Sequence, residues 1–208
     1  MTDPKIFTKH VSPEDLGKVQ VHETVTIFDP LAHRWLFLDF DGVLNGINYW
    51  HGQERSGLDI LQFPFSPHNI LAINQVVDQF DDLLVVITSA WRDFGFYEGY
   101  IEAKLDQAGF NGKVWATLDT QEKLGNRGIA IQTWMVNNGL DHPDLKMCII
   151  DDRPHRDFGW LNGYLVQTTM EKGFLYPHVA LATDMLRGKS YRGDVYGKPV
   201  KWSEDDKK

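Results

Sequence analysis

WLFLDFDGVLN, residues 35–45, begins with four apolar or aromatic residues, turns acidic at Asp39 and Asp41, and breaks at Gly42. A short apolar run of this kind, closed by a glycine, reads as a strand buried on both faces, here 35–39. Its acids stand at the carboxyl end, two residues apart. Four further runs rich in apolar, β-branched or aromatic residues read the same way: 83–88, 114–117, 147–151 and 164–168. Between them lie segments with helical spacing. In 67–80, Ile70, Leu71, Ile73, Val76, Val77 and Phe80 share one face, Ser66 stands where a cap is needed and Pro67 suits the first turn. Residues 97–108 and 129–138 are helical candidates closed by Gly109 and Gly139.

Strand and helix therefore alternate, and the expected architecture is an α/β domain over 31–186: a Rossmann-like parallel sheet with helices on both faces and ligands bound beyond the carboxyl ends of its strands. Residues 1–30 read as an N-terminal extension with a strand near 19–28, and 187–208 as a polar, mobile C-terminal tail. A length of 208 residues suits one domain with a substantial core.

Asp151 and Asp152 end the fourth strand much as Asp39 and Asp41 end the first. An aspartate at a strand end commonly caps the turn that follows. Two acidic pairs ending two buried strands are harder to explain that way. Crowded carboxylates repel, and a hard divalent cation such as Mg2+ relieves the repulsion while keeping waters that a phosphate can replace. Neither G-x-G-x-x-G after a strand nor G-x-x-x-x-G-K-[ST] occurs, so nucleotide cofactors are not indicated. The formal charge of −8 argues against a broad surface for nucleic acid, while leaving room for a local basic groove or a small anionic ligand. A single cysteine, Cys148, lies inside an apolar run and reads as core. It fits a reducing cytoplasm, and no apolar stretch approaches the roughly 20 residues needed to span a bilayer. The eight histidines show no close metal-ligand spacing.

LFLDFDGVLN resembles the first motif, hhhhDxDGh, of the haloacid dehalogenase (HAD) superfamily of phosphatases and phosphotransferases. VVITSAWR resembles its second motif and MCIIDDRP its fourth. The resemblance implies a nucleophile at Asp39 that forms an aspartyl-phosphate, and at Asp41 an acid that protonates the leaving oxygen and then activates water. It implies a magnesium site from the Asp39 side chain, the Asp41 backbone carbonyl and the Asp151/Asp152 pair, without saying which of that pair binds directly. Thr88, or Ser89 if the strand ends one residue later, resembles the hydroxyl that holds a phosphate oxygen. The third motif needs a Lys or Arg at the start of the helix before the fourth, and both Lys123 and Arg127 qualify. Arg127 is preferred because it directly precedes GIAIQTWM.

Members of the superfamily often carry a cap domain, and this chain has room only for a flap, 45–65, containing Tyr49, Trp50, His51, Arg55 and Phe63. Those side chains can stack on a base and contact phosphate, or plug the loop onto the domain. Trp91 and Arg92 carry the same two readings, packing or substrate contact. Ser89, Arg92 and Lys123 are the candidate substrate-binding residues. TSAWR, RGIAIQTWM, and IIDDRP followed by Thr168, Thr169 and Gly173 also resemble HAD modules associated with RNA repair proteins. That likeness implies a phosphorylated substrate, such as a nucleic-acid end or a nucleotide. The rival expectation is a non-catalytic HAD-fold module that binds phosphate or a protein partner. Asp39 and Asp41 side by side favour catalysis, since binding alone needs no nucleophile beside an acid.

Overall fold

The computed structural model describes residues 28–57, 64–91, 99–118 and 126–189, together with the backbone of residues 191–193 and 199–201. The strands β1 (Arg34–Leu38), β2 (Leu83–Ile87), β3 (Lys113–Thr117), β4 (Lys146–Asp151) and β5 (Leu165–Gln167) form one sheet in the order β3-β2-β1-β4-β5, and every pairing is parallel. Successive side chains along a strand point to opposite faces, and this sorts the core into two halves. Leu36, Leu38, Val85, Ile87, Cys148, Ile150 and Val166 face one way. They pack against α2 (Pro67–Val77), α3 (Tyr100–Ala108) and α5 (Tyr176–Leu186). Trp35, Phe37, Leu84, Val86, Met147 and Ile149 face the other way, where Ile131, Trp134 and Met135 of α4 (Arg127–Asn137) cover them. Helices on both faces of a parallel sheet are the architecture that the alternation predicts.

The five strands fall within a residue or two of their expected limits. The helix expected over 129–138 begins two residues earlier, because the Asn126 side chain accepts the Ile129 amide at 3.1 Å and caps it. The helix expected over 67–80 ends at Val77, and Ser66 makes no side-chain cap bond. The third expected helix starts no earlier than Tyr100 among the described residues. It ends as expected on Gly109 in the left-handed conformation (φ 78°). Among the described residues, no helix is long and apolar enough to cross a membrane.

Four elements were not foreseen. The expected flap contains the ten-residue helix α1 (Ile47–Ser56), which buries none of its residues fully and so carries no apolar stripe to reveal it. α5 has Pro177 in its first turn and an apolar face spread around Ala182, Met185 and Leu186. The expected polar tail contains an antiparallel pair, β6 (Tyr191–Gly193) with β7 (Pro199–Lys201), each strand too short to display a period of two. The strand expected near 19–28 lies outside the described residues except for Phe28, which is not in a strand.

Gly128, in the first turn of α4, fixes that helix against the chain that follows β4. A Cβ there would lie 2.5 Å from the Phe158 Cα and 2.7 Å from the Asp157 carbonyl oxygen, both backbone atoms that cannot swing aside. Gly128→Ala is expected to destabilise the fold by about 1–3 kcal/mol. In a thermal melt the midpoint should fall on the order of 5 °C below the parent; an unchanged midpoint would show that α4 docks more loosely than described.

Candidate active site

Leu38 pairs with Ile87 on one side and with Ile150 on the other, so the next residues of the three chains, Asp39, Thr88 and Asp151, come level at the carboxyl edge. Backbone bonds continue the ladder there: Asp39 N–H donates to the Ile150 carbonyl (3.1 Å) and Thr88 N–H to the Leu38 carbonyl (2.9 Å). Alternation then sets direction. Asp39 follows Trp35 and Phe37, Thr88 follows Leu84 and Val86, and Asp151 follows Met147 and Ile149, so all three belong to the face covered by α4. β1 is also where the strand order reverses, the crevice in which an open α/β sheet binds its ligand.

Arg127 is the first residue of α4 and is only 1% exposed. Its Nη2 lies 3.6 Å from Asp39 Oδ2 and its Nε 3.6 Å from Asp151 Oδ2. These are ion pairs at a spacing too long for direct hydrogen bonds, so the guanidinium offsets both charges while leaving carboxylate oxygens available to another ligand. Lys123 and Arg92 lie outside the described residues, as does Phe63 of the expected flap. The rest of that flap divides: Trp50 packs against the core, while His51 and Arg55 are exposed.

Beyond Asp39 the chain turns tightly, with the Phe40 carbonyl accepting from the amides of Val43, Leu44 and Asn45. That turn brings the Asn45 Nδ2 to Asp41 Oδ1 (3.1 Å), while Trp91 Nε1 donates to Asp41 Oδ2 (2.9 Å). Trp91 is itself held by a stack on Phe65, centroids 5.5 Å apart, and an edge contact with Phe40. Asp41 is thus gripped at both oxygens. Asn45 went unassigned in the sequence and Trp91 was left with two readings; a hydrogen bond across 50 residues has no signature in either neighbourhood. Gly42 sits at φ 68°, and a Cβ there would lie 2.7 Å from Asp152 Oδ2. The Thr168 hydroxyl donates to the Gly42 carbonyl at 2.5 Å and anchors the turn to the end of β5.

Carboxylate oxygens of Asp39, Asp151 and Asp152 lie within 4.8 Å of one another. Asp39 and Asp151 are buried, and Asp151 Oδ2 receives no hydrogen bond. Burial raises the Asp151 pKa to about 7, the Asp39 charge adds to the rise, and Arg127 opposes it. Asp39 is also raised, by burial first, against the pull of Arg127 and of hydrogen bonds from the Phe40 amide and Ser89. Asp152 is raised chiefly by burial and then by Asp39. The donors are all hard oxygens, one buried oxygen lacks a hydrogen bond, and three acids crowd round the Arg127 guanidinium. This set fits a divalent cation. Asp41 contributes no side-chain oxygen to it; its carboxylate is turned to Asn45 and Trp91.

The family model described as "HAD domain in Swiss Army Knife RNA repair proteins" matches residues 35–179. The match takes in the five parallel strands, from the second residue of β1 onward, and every site residue named above. Comparison with curated proteins and with solved structures gave no match.

A carboxyl whose pKa is higher folded than unfolded binds its proton more tightly in the native state, so its contribution to stability is complete below the unfolded value and fades as pH rises through the folded one. For Asp151 that window runs from 3.8 to about 7. In the presence of a chelator, the melting temperature of the parent is expected to fall between pH 5 and pH 8 relative to Asp151→Asn, which has no proton to lose there. Millimolar Mg2+ should raise the parent's midpoint more at pH 8 than at pH 5. A cation effect equal at both pH values would contradict the site.

Proposed function

The chain belongs to the HAD domains of Swiss Army Knife RNA repair proteins, and on that premise we propose that it is a magnesium-dependent phosphatase that hydrolyses phosphate monoesters through an aspartyl-phosphate on Asp39, with phosphorylated polynucleotide ends as its substrate class. One observation carries this reading above the others: Asp39 stands beside Asp151, Asp152 and Arg127 while Asp41, two residues on, is held apart from that cluster by Asn45 and Trp91. Two neighbouring carboxylates in two different surroundings suit two different roles.

Asp39, Asp151 and Asp152 would hold Mg2+, with the Asp41 backbone carbonyl as the further ligand that the HAD resemblance implies. When bound, the ion supplies positive charge against the phosphate oxygens and the crowded acids. An Asp39 oxygen attacks phosphorus, and its neighbours fix its direction: the Phe40 amide and Ser89 bond it, and Arg127 lies 3.6 Å away. As the bond from Asp39 to phosphorus forms, the bond to the leaving oxygen breaks, and Asp41 delivers a proton to that oxygen. Asp41 next takes a proton from water, the water oxygen bonds phosphorus, and the acyl phosphate breaks to restore Asp39 and release inorganic phosphate. Thr88 would hold a phosphate oxygen, and Arg127 would offset charge that spreads over the phosphoryl group in the transition state. Uncatalysed monoester hydrolysis is among the slowest biological reactions, so no one of these groups suffices alone. A binding module would gain nothing from a proton donor steered by two side chains.

The test is hydrolysis of a chromogenic aryl phosphate and of oligonucleotides phosphorylated at either end, with and without Mg2+. Asp39→Asn should lose at least about 10³-fold in kcat with its melting temperature kept, and chelation should abolish turnover reversibly. An Asp39→Asn protein as fast as the parent would refute the nucleophile. Trp91→Phe keeps the stack on Phe65 and removes only the indole N–H, so kcat should fall about tenfold with KM little altered. A loss appearing in KM alone would show that Trp91 contacts substrate and does not steer Asp41.

A further inference from the structure

A cavity of about 300 Å³ lies at the same edge of the sheet, between the start of α1, the start of α2 and the loop after β5. It has no part in the mechanism above. Its lining includes Tyr49, Ser66, His68, Asn69 and Lys172. Two chain connections place it beside the catalytic turn. Its Gly46 wall directly follows Asn45, which holds Asp41, and its Lys172 wall lies four residues past Thr168, which holds Gly42.

Several hydrogen-bond donors meet there without partners among the described residues. The amides of His68 and Asn69, in the first turn of the eleven-residue helix α2, donate to no other described residue, and Pro67 before them has no N–H to give. Ser66 is 5% exposed and its hydroxyl makes no hydrogen bond among the described residues, although it stands in the N-cap position where a serine ordinarily bonds the helix amides. A serine left idle at a cap leaves the positive end of the helix to an external acceptor. The start of α1 is different: its first amides are already taken by the carbonyls of Met170 and Glu171. Lys172 and His68 stand exposed at the rim, where Lys172 adds a positive charge that the Glu171 carboxylate tempers. A singly charged anion suits that balance better than a doubly charged terminal phosphate.

We propose that this cavity is a subsite for the phosphodiester and sugar of the nucleotide next to the scissile terminal phosphate. The inference rests on the phosphatase reading and narrows it to substrates at least two nucleotides long. The α2 amides and the Ser66 hydroxyl hold the diester oxygens, Lys172 supplies charge, His68 offers a ring nitrogen to the same oxygens, and the half-buried Tyr49 ring lies against the sugar or base. The volume is at the low end for ligand pockets, which suits one nucleotide unit.

The experiment compares a terminally phosphorylated dinucleotide, in ribose and deoxyribose forms, with an aryl phosphate that has no second phosphate. In the double variant His68→Ala with Lys172→Glu, the ratio of kcat/KM for dinucleotide to kcat/KM for aryl phosphate should fall at least about tenfold, through KM. Calorimetric binding of the dinucleotide to Asp39→Asn protein should weaken by a similar factor in the same double variant. A loss in both sugar series marks diester recognition, and a loss in the ribose series alone assigns the cavity to RNA. If both substrates lose equally, or the dinucleotide is untouched in turnover and in binding, the subsite is overturned while the phosphatase reading stands. If the parent hydrolyses neither substrate yet the dinucleotide binds and the double variant weakens it, the phosphatase reading fails and the cavity survives as a binding site.

Discussion

Three carboxylates within 4.8 Å of one another, two of them buried, oppose the folding of the chain that carries them. At an effective dielectric of about 20, two unit charges 5 Å apart repel by about 3 kcal/mol, and burial adds a desolvation cost to each. Arg127 offsets part of this from 3.6 Å. Among the described residues, Arg127 and Arg153, which acts on Asp152, still leave the three acids with a negative surplus when all are ionised. The protein can meet that surplus by keeping protons, which is what the raised pKa of Asp151 records, or by taking up a divalent cation. The second leaves all three carboxylates ionised.

The fold imposes this crowding through backbone geometry. Parallel register makes β1, β2 and β4 end level, and alternation turns the residue after each core pair toward α4. Asn126 starts that helix where its first side chain can reach between the acids. Gly128 lets the helix approach the chain after β4, and Gly42 leaves space for Asp152. Small residues at these points act through the space they leave. The turn after Asp39 serves a separate end, since it carries Asp41 to Asn45 and Trp91 and so gives the second carboxylate surroundings unlike the first.

Much of this was legible in the residues. An apolar run ending in Asp39 and Asp41, and another ending in Asp151 and Asp152, locate the carboxyl edge of a sheet because a buried strand has few ways to end in acid. The choice between Lys123 and Arg127 was harder, because it turns on where a helix begins, and a two-residue shift in an asparagine cap outweighs apolar spacing. Trp91 stayed ambiguous and Asn45 unassigned for another reason: their meaning lies in a shared contact with Asp41 that only the fold creates. α1 was invisible because no apolar stripe distinguishes it from a loop, and it nevertheless forms one wall of the cavity that Gly46 also lines.

The most direct measurement is a crystal structure grown with Mn2+ in place of Mg2+, read by anomalous scattering. The account predicts one strong peak ligated by oxygens of Asp39, Asp151 and Asp152 at roughly 2.0–2.4 Å, with Arg127 still alongside. A cluster without such a peak, in which Arg127 closes onto Asp39 and Asp151 in direct hydrogen bonds, would contradict it.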